Sequence, residues 1–304
     1  MVNILATAIM VSTPLLLGAM AEVFTERSGV MLCAIEGIFL LGAWAGFVGT
    51  YVSGSIIVGF ILAAGAGSIA AALYGFITVV LRQQQVVTGT ALNIFAVGFC
   101  AFFQRVIFGV PTSPLQIPTL NVVELPLLSQ IPFLGKILFS QNMLTYLVYI
   151  LVPISIFVLY RTSLGLRIRS TGDNPAAVDA AGLSVWKTRF FTVIVSGALC
   201  GIAGAFYTVG YLGMFTTNII GGRGWIAFAI CFLGNWNPKG VLLGTLAFGL
   251  TESISIWIRT LSSSSLFPTE LIIALPYILT IVLTVVGKGS AIPLKLGIAY
   301  SKED

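Results

Sequence analysis

The chain has 304 residues, 58% of them hydrophobic and 8% charged, with a formal net charge of +5 and a mean hydropathy of +1.04. Soluble domains carry about a quarter charged residues, so a water-soluble enzyme and a separable soluble domain are both excluded. The sequence contains no histidine, which removes the usual general base and the usual metal ligand; neither a catalytic nor a metal site is expected. The basic residues lie between apolar segments rather than on one basic face, so nucleic acid is not an expected partner.

A helix crossing the hydrocarbon core needs about 20 mostly apolar residues. Such segments follow one another at residues 3–23, 30–50, 56–81, 86–108, 142–160, 190–212, 224–236, 239–258 and 270–287. The expected fold is all-α: one polytopic transmembrane helical bundle over residues 1–304, with eight to ten spans. The first segment lacks a basic n-region and a small-residue cleavage site and reads as a span rather than a signal peptide. The segment at 224–236 is short, bounded by glycine and followed by Asn235-Trp236-Asn237-Pro238, the pattern of a broken or re-entrant helix packed inside protein. Cys33, Cys100, Cys200 and Cys231 fall in apolar segments without C-x-x-C spacing and read as small core residues.

The loop at 109–141 is rich in Pro and Leu and nearly uncharged. Expected on the extracytoplasmic side, it suits a cap over the pore mouth, a contact for an external partner, or a packed connection. The loop at 161–189 is different, carrying Arg161, Arg167, Arg169, Lys187 and Arg189. Within it, Asp173 and Asn174 are good N-cap residues, Pro175 suits a first helical position, Ala-rich sequence follows and Gly182 can close the helix. A short helix over Pro175–Ala181, displayed to another protein, is expected, with the flanking basic residues as membrane-surface anchors. If this loop is cytoplasmic, eleven of the fifteen basic residues share its side and four (Arg105, Lys136, Arg223, Arg259) lie opposite, a strong positive-inside bias. The C-terminus is then cytoplasmic and the N-terminus external.

Gly42-x-x-x-Gly46, Gly197-x-x-x-Gly201 and Gly240-x-x-x-Gly244 are spaced for close helix contact. Arg27-Ser28-Gly29-Val30 and Arg223-Gly224-Trp225-Ile226 open blocks of expected opposite orientation, a weak inverted repeat. Ionisable residues inside spans are costly and usually have a purpose. Glu36 and Glu252 lie well inside, and the favoured reading bonds each to a helix end or a basic neighbour. Trp44, Asn93, Phe95, Phe99, Phe206, Tyr207 and Tyr211 could stack on and hydrogen-bond a flat uncharged solute, and with Glu36 they form the candidate substrate pathway. No G-x-x-x-x-G-K-[ST] phosphate loop is present, so ATP, if used, must be hydrolysed by another subunit.

Three stretches together resemble one family: Glu26-Arg27-Ser28-Gly29-Val30 leading to Ile35-Glu36-Gly37, Leu166-Arg167-Ile168-Arg169 through Gly172-Asp173-Asn174-Pro175-Ala176-Ala177 to Ala181-Gly182, and Gly222-Arg223-Gly224-Trp225-Ile226-Ala227 through Trp236-Asn237-Pro238. The likeness, over nearly the whole length, is to permease subunits of ATP-binding-cassette (ABC) importers for simple sugars and nucleosides, in the wider group that includes branched-chain amino-acid permeases. It implies a type II importer fold in a bacterial plasma membrane. This permease would pair with a second, non-identical permease, a cytoplasmic ABC ATPase and an extracytoplasmic solute-binding lipoprotein. It would bind no cofactor itself, ATP and magnesium belonging to the ATPase. Asp173, Asn174, Pro175, Ala176, Ala177, Val178, Asp179, Ala180, Ala181 and Gly182 would be the ATPase-coupling element.

The solute implied is a nucleoside or simple sugar. Leu32 and Ala34 stand where the family pattern has Asn-x-Gly, at a position expected on the pathway, which brings riboflavin-like heterocycles into range. The alternatives are an ion-coupled secondary carrier working through Glu36 and Glu252 and, disfavoured by the missing histidine and scarce acids, a membrane-embedded enzyme.

Overall fold

The computed structural model describes residues 2–111, 113–126, 128–261, 274–275, 277–278 and 291–301; the span expected at 270–287 lies almost wholly outside them. In chain order the elements are α1 (Val2–Arg27), α2 (Ile35–Ser53), α3 (Ile56–Gly75) continued by a π-helical turn Phe76–Val80, α4 (Gln85–Phe108), β1 (Val122–Glu124), α5 (Leu134–Leu138), β2 (Ser140–Asn142), α6 (Met143–Arg161), α7 (Ser163–Asp173), α8 (Pro175–Ala180), α9 (Val185–Ala205) continued by a π-helical turn Phe206–Leu212, α10 (Arg223–Leu233) and α11 (Pro238–Leu261). Among the described residues seven helices are long and apolar enough to cross a membrane: α1, α2, α3, α4, α6, α9 and α11. With 11 residues, α10 reaches only about 16 Å, roughly half of a hydrocarbon core about 30 Å thick. The short segment at 224–236 is thus a half-length helix inside the bundle.

Small residues set the centre. A side-chain carbon on Gly42 would meet the Gly201 backbone, one on Gly67 the backbone of Gly197 and Gly201, and one on Gly197 or Gly201 the backbone of α3. Thus α2, α3 and α9 approach to backbone contact, as two of the three Gly-x-x-x-Gly spacings anticipate. The third serves a turn, since Gly240 lies against the Gly234 backbone. All four cysteines are buried and free. Outward faces of α3 and α4 carry exposed Ile57, Ile61, Ile69, Ile94 and Phe102, the surface expected against lipid tails or a second membrane subunit.

α1 and α9 run antiparallel, tied by Thr192 Oγ1 to Ser28 Oγ at 3.0 Å and Ser196 Oγ to the Ala21 carbonyl at 2.8 Å. After each comes an irregular segment, residues 28–34 or 213–222, and then a helix begun inside the bundle, α2 or α10. This is an inverted repeat in architecture. The Arg27 and Arg223 echoes are not equivalent within it, because Arg27 ends α1 whereas Arg223 begins α10.

Several expectations are corrected. The second span starts at Ile35, not residue 30. Leu32 and Ala34, expected on the pathway, are fully buried in the core. The loop expected at 161–189 holds two helices, α7 and α8, α7 having been masked by its polarity. Two of its basic residues are internal ties rather than membrane-surface anchors. Arg167 Nε donates to Thr188 Oγ1 at 2.6 Å, and buried Arg189 donates to the Ser28 and Ile298 carbonyls at 3.1 and 2.8 Å. The segment at 109–142 holds a short antiparallel strand pair, β1 with β2, and is tied to the bundle by Ile117 N to the Gly213 carbonyl at 2.8 Å and Gln141 Nε2 to the Ala6 carbonyl at 3.1 Å, while most of its described residues stay exposed.

Gly42→Val forces a branched side chain against backbone that cannot rotate away, whereas Gly65→Val enters open space. Thermal unfolding in detergent is expected to place Gly42→Val lower by on the order of 3 kcal/mol and Gly65→Val near the parent.

Candidate functional site

The interior is held by polar groups that satisfy irregular backbone, which inside a bilayer has no water to bond. Around residues 28–34, Gln85 Oε1 accepts from Met31 N at 2.8 Å, Tyr74 OH donates to the Met31 carbonyl, and Asn93 Nδ2 donates to the Cys33 carbonyl at 3.0 Å. Asn93 Oδ1 also accepts from Gly37 N at 2.8 Å. Asn93 is therefore spent on this backbone rather than offered to a solute.

Glu36 serves the second irregular segment. It lies in the first turn of α2 and its carboxylate accepts from Gly222 N at 2.8 Å and Gly224 N at 2.7 Å. One carboxylate thus sits at two helix N-termini, where amide donors and the helix dipole favour negative charge. Gly222, at φ +85°, supplies the left-handed turn that aims its amide at Glu36. Glu252 is paired: its Oε1 accepts from Arg223 Nε at 3.1 Å and Nη2 at 2.6 Å. Both acids follow the helix-end and basic-neighbour reading. Arg223 is turned into the bundle as this partner, and its guanidinium lies 5.3 Å from the centre of the Tyr207 ring.

The aromatic candidates separate into two places. Trp44 packs edge-on to Phe99 at 5.6 Å and donates to Gln104 Oε1 at 3.2 Å, and half-exposed Phe95 lies tilted against Phe99, also at 5.6 Å. Phe206, Tyr207 and Tyr211 share the π-helical turn after α9 and line a cavity with Arg223 and Glu252. Sequence reasoning missed Arg223 as a site residue; the run Gly221-Gly222-Arg223-Gly224, a flexible turn opening a helix, was the available signal.

At the opposite end of α9, α8 has the expected caps. Asn174 Oδ1 accepts from Ala177 N at 3.1 Å. Gly182, at φ +78°, closes the helix through Gly182 N to the Asp179 carbonyl at 2.9 Å and Leu183 N to the Val178 carbonyl at 3.1 Å, the bond pair of a Schellman motif. Pro175 and Val178 face inward, leaving Ala176, Ala177, Ala180 and Ala181 exposed. The C-terminal segment braces this end: Lys295 N donates to the Gly172 carbonyl at 2.8 Å, Gly297 N to the Gly29 carbonyl at 3.1 Å, and Tyr300 OH to Asp179 Oδ2 at 3.4 Å.

Half-length and full-length helices around polar-capped irregular segments, with a capped helix presented at one end, define a multi-pass membrane permease. The chain belongs to the family described as branched-chain amino acid transport system permease component, whose model matches residues 4–284. It is 34% identical to the nucleoside ABC transporter permease protein NupC of Lactococcus lactis, over 98% of this chain and 96% of that one. It is 33% identical to the guanosine ABC transporter permease protein NupQ of Bacillus subtilis, with the same coverages. TsgC13 of Haloferax volcanii, described as a glucose ABC transporter permease, is 33% identical over 86% of this chain and 79% of its own. A solved ABC transporter in an inward-facing conformation, described as metal-chelate type, superposes with a TM-score of 0.53 at 18% identity, covering 94% of this chain and 87% of that one. The protein is an ABC transporter permease subunit, and nothing favours the ion-coupled alternative.

Glu36→Leu strips the Gly222 and Gly224 amides of their acceptor. A loss of about 2–3 kcal/mol is expected in thermal unfolding, with faster amide exchange confined to the start of α10. Glu36→Gln, retaining one acceptor oxygen, is expected to fall between.

Proposed function

We propose that this permease forms one half of the pathway of an ABC importer for nucleosides. The observation that carries the reading is the near full-length similarity to NupC and NupQ, whose names give nucleosides and guanosine as their solutes. The glucose relative keeps simple sugars as the competing solute. The remaining assembly is part of the same proposal: a second, non-identical permease across the pathway, an extracytoplasmic binding lipoprotein, and a cytoplasmic ATPase that holds ATP and magnesium, this chain binding neither.

The ATPase engages the stretch from Asp173 to Gly182, which is α8 with its flanking caps. Two features support this assignment. The exposed alanines offer a smooth face that can seat in a groove, and the helix is rigidly tied to α7, α9 and the C-terminal segment, so force on α8 reaches α1 through Gly172, which packs on the Arg27 backbone. Nucleotide-driven closure would tilt the membrane helices as rigid bodies. Arg27, Lys187 and Lys295 share the α8 end of the molecule, which puts that end and the C-terminal segment in the cytoplasm by the positive-inside rule.

The test is uptake into proteoliposomes holding both permeases, the ATPase and the binding protein. ATP-dependent accumulation of guanosine is expected, with none when ATP is left out. Uptake by this chain alone along an imposed proton or sodium gradient would overturn the importer assignment, and uptake of glucose or ribose without any nucleoside would overturn the solute. Ala177→Arg, on the exposed face of α8, is expected to lower uptake at least tenfold and to abolish copurification of the ATPase while the two permeases still copurify.

A further inference from the structure

We propose that Tyr207, Arg223 and Glu252 form a contact station on the solute path that reads the hydrogen-bonding edge of a purine base. The proposal rests on the nucleoside reading and deepens it. A structural ion pair normally satisfies its polar atoms, because a buried group without a partner is costly. This cluster does not close on itself. Both Arg223 bonds land on Glu252 Oε1, and Oε2 accepts no bond among the described residues. The Tyr207 hydroxyl is buried, its residue only 6% exposed, and has no partner among the described residues.

Both open groups belong to residues lining one cavity. Its walls are apolar, with Val11, Pro14, Phe206, Ile219 and Ile256, and Tyr211 and Leu212, 43% and 44% exposed, stand at its edge. The space available is about 60 Å³, enough for a few waters or the rim of a ring but not for a whole nucleoside. The station is therefore one wall of a path, not a closed pocket. Its aromatic members stand on the π-helical turn Phe206–Leu212, a distortion that occurs frequently at functional sites.

The chemistry of the open groups selects the ligand. A carboxylate oxygen accepts from N–H groups, and a tyrosine hydroxyl donates to a carbonyl. A 6-oxopurine presents an N–H beside a carbonyl on a flat ring, and guanine adds a second N–H on the same edge. Arg223, held over Tyr207 and paired with Glu252 Oε1, adds its own donors. Apolar walls suit the faces of the ring.

The experiment uses the complete importer in proteoliposomes, with one binding protein throughout so that its affinity cancels, and compares initial uptake of guanosine, inosine and adenosine. Tyr207→Phe removes one oxygen and nothing else. It is expected to raise the half-saturating concentration for guanosine and inosine about fivefold, the loss of one hydrogen bond, and to change adenosine less than twofold. Glu252→Gln is expected to disfavour guanosine over adenosine by a similar ratio. Equal losses for all three nucleosides would mean a structural cluster, and unchanged ratios in Tyr207→Phe would mean a cavity that holds only water; either result overturns the station while leaving nucleoside transport intact. If the parent importer moves sugars and no nucleoside, the station and the solute reading fall together.

Discussion

Everything in this molecule depends on one constraint: irregular backbone in the interior of a membrane bundle must find all its hydrogen bonds within the protein. Residues 28–34 and 213–222 break the helical run inside the bundle, and a few side chains answer for them. Asn93 bonds to the backbone on both its oxygen and its nitrogen, and Glu36 takes two amides at the start of α10. These bonds let α2 and α10 begin at depth. The half-helix is the result, and with it a place where polar groups can stand among apolar helices.

Close approach of the long helices is the second condition. Where Gly42, Gly67, Gly197 and Gly201 meet, no side chain separates the backbones of α2, α3 and α9. Lipid tails are as apolar as the helix surfaces, so contact of this kind rather than a hydrophobic drive holds membrane helices together. The glycine core also accounts for how motion can travel. Helices packed backbone to backbone shift as units, and the tie from α8 through Gly172, Arg189 and the segment at 291–301 fastens the α8 end of the molecule to α1 and α9.

Other buried acids serve the same end. Glu26 accepts from Trp236 Nε1 and Cys231 Sγ, anchoring a turn in which Asn235 and Trp236 both adopt positive φ, a conformation that non-glycine residues take at some cost. Arg27 Nε donates to the Trp236 carbonyl at 3.0 Å, closing the same knot. Glu36 is wholly occupied by α10. Between Glu36 and Glu252, it is Glu252 whose Oε2 accepts no bond among the described residues and whose residue lines a cavity, which is why the proposed station lies there and not at Glu36.

By itself the sequence determined the class, the long spans, the glycine contacts and α8 with its caps, because hydropathy, small-residue spacing and capping are local properties written within a few turns of helix. It also marked Glu36 and Glu252 as residues with a purpose. Only the tertiary structure decided what that purpose is, because a partner such as Gly222 for Glu36 lies 186 positions away and no local pattern reports it. The same holds for Arg189, whose charge reads as a surface anchor until the fold buries it against Ser28 and Ile298. Arg223 gains its role in the same way: the cost of burying a charge depends on the partner it meets, and Glu252 meets it only once α10 and α11 have packed.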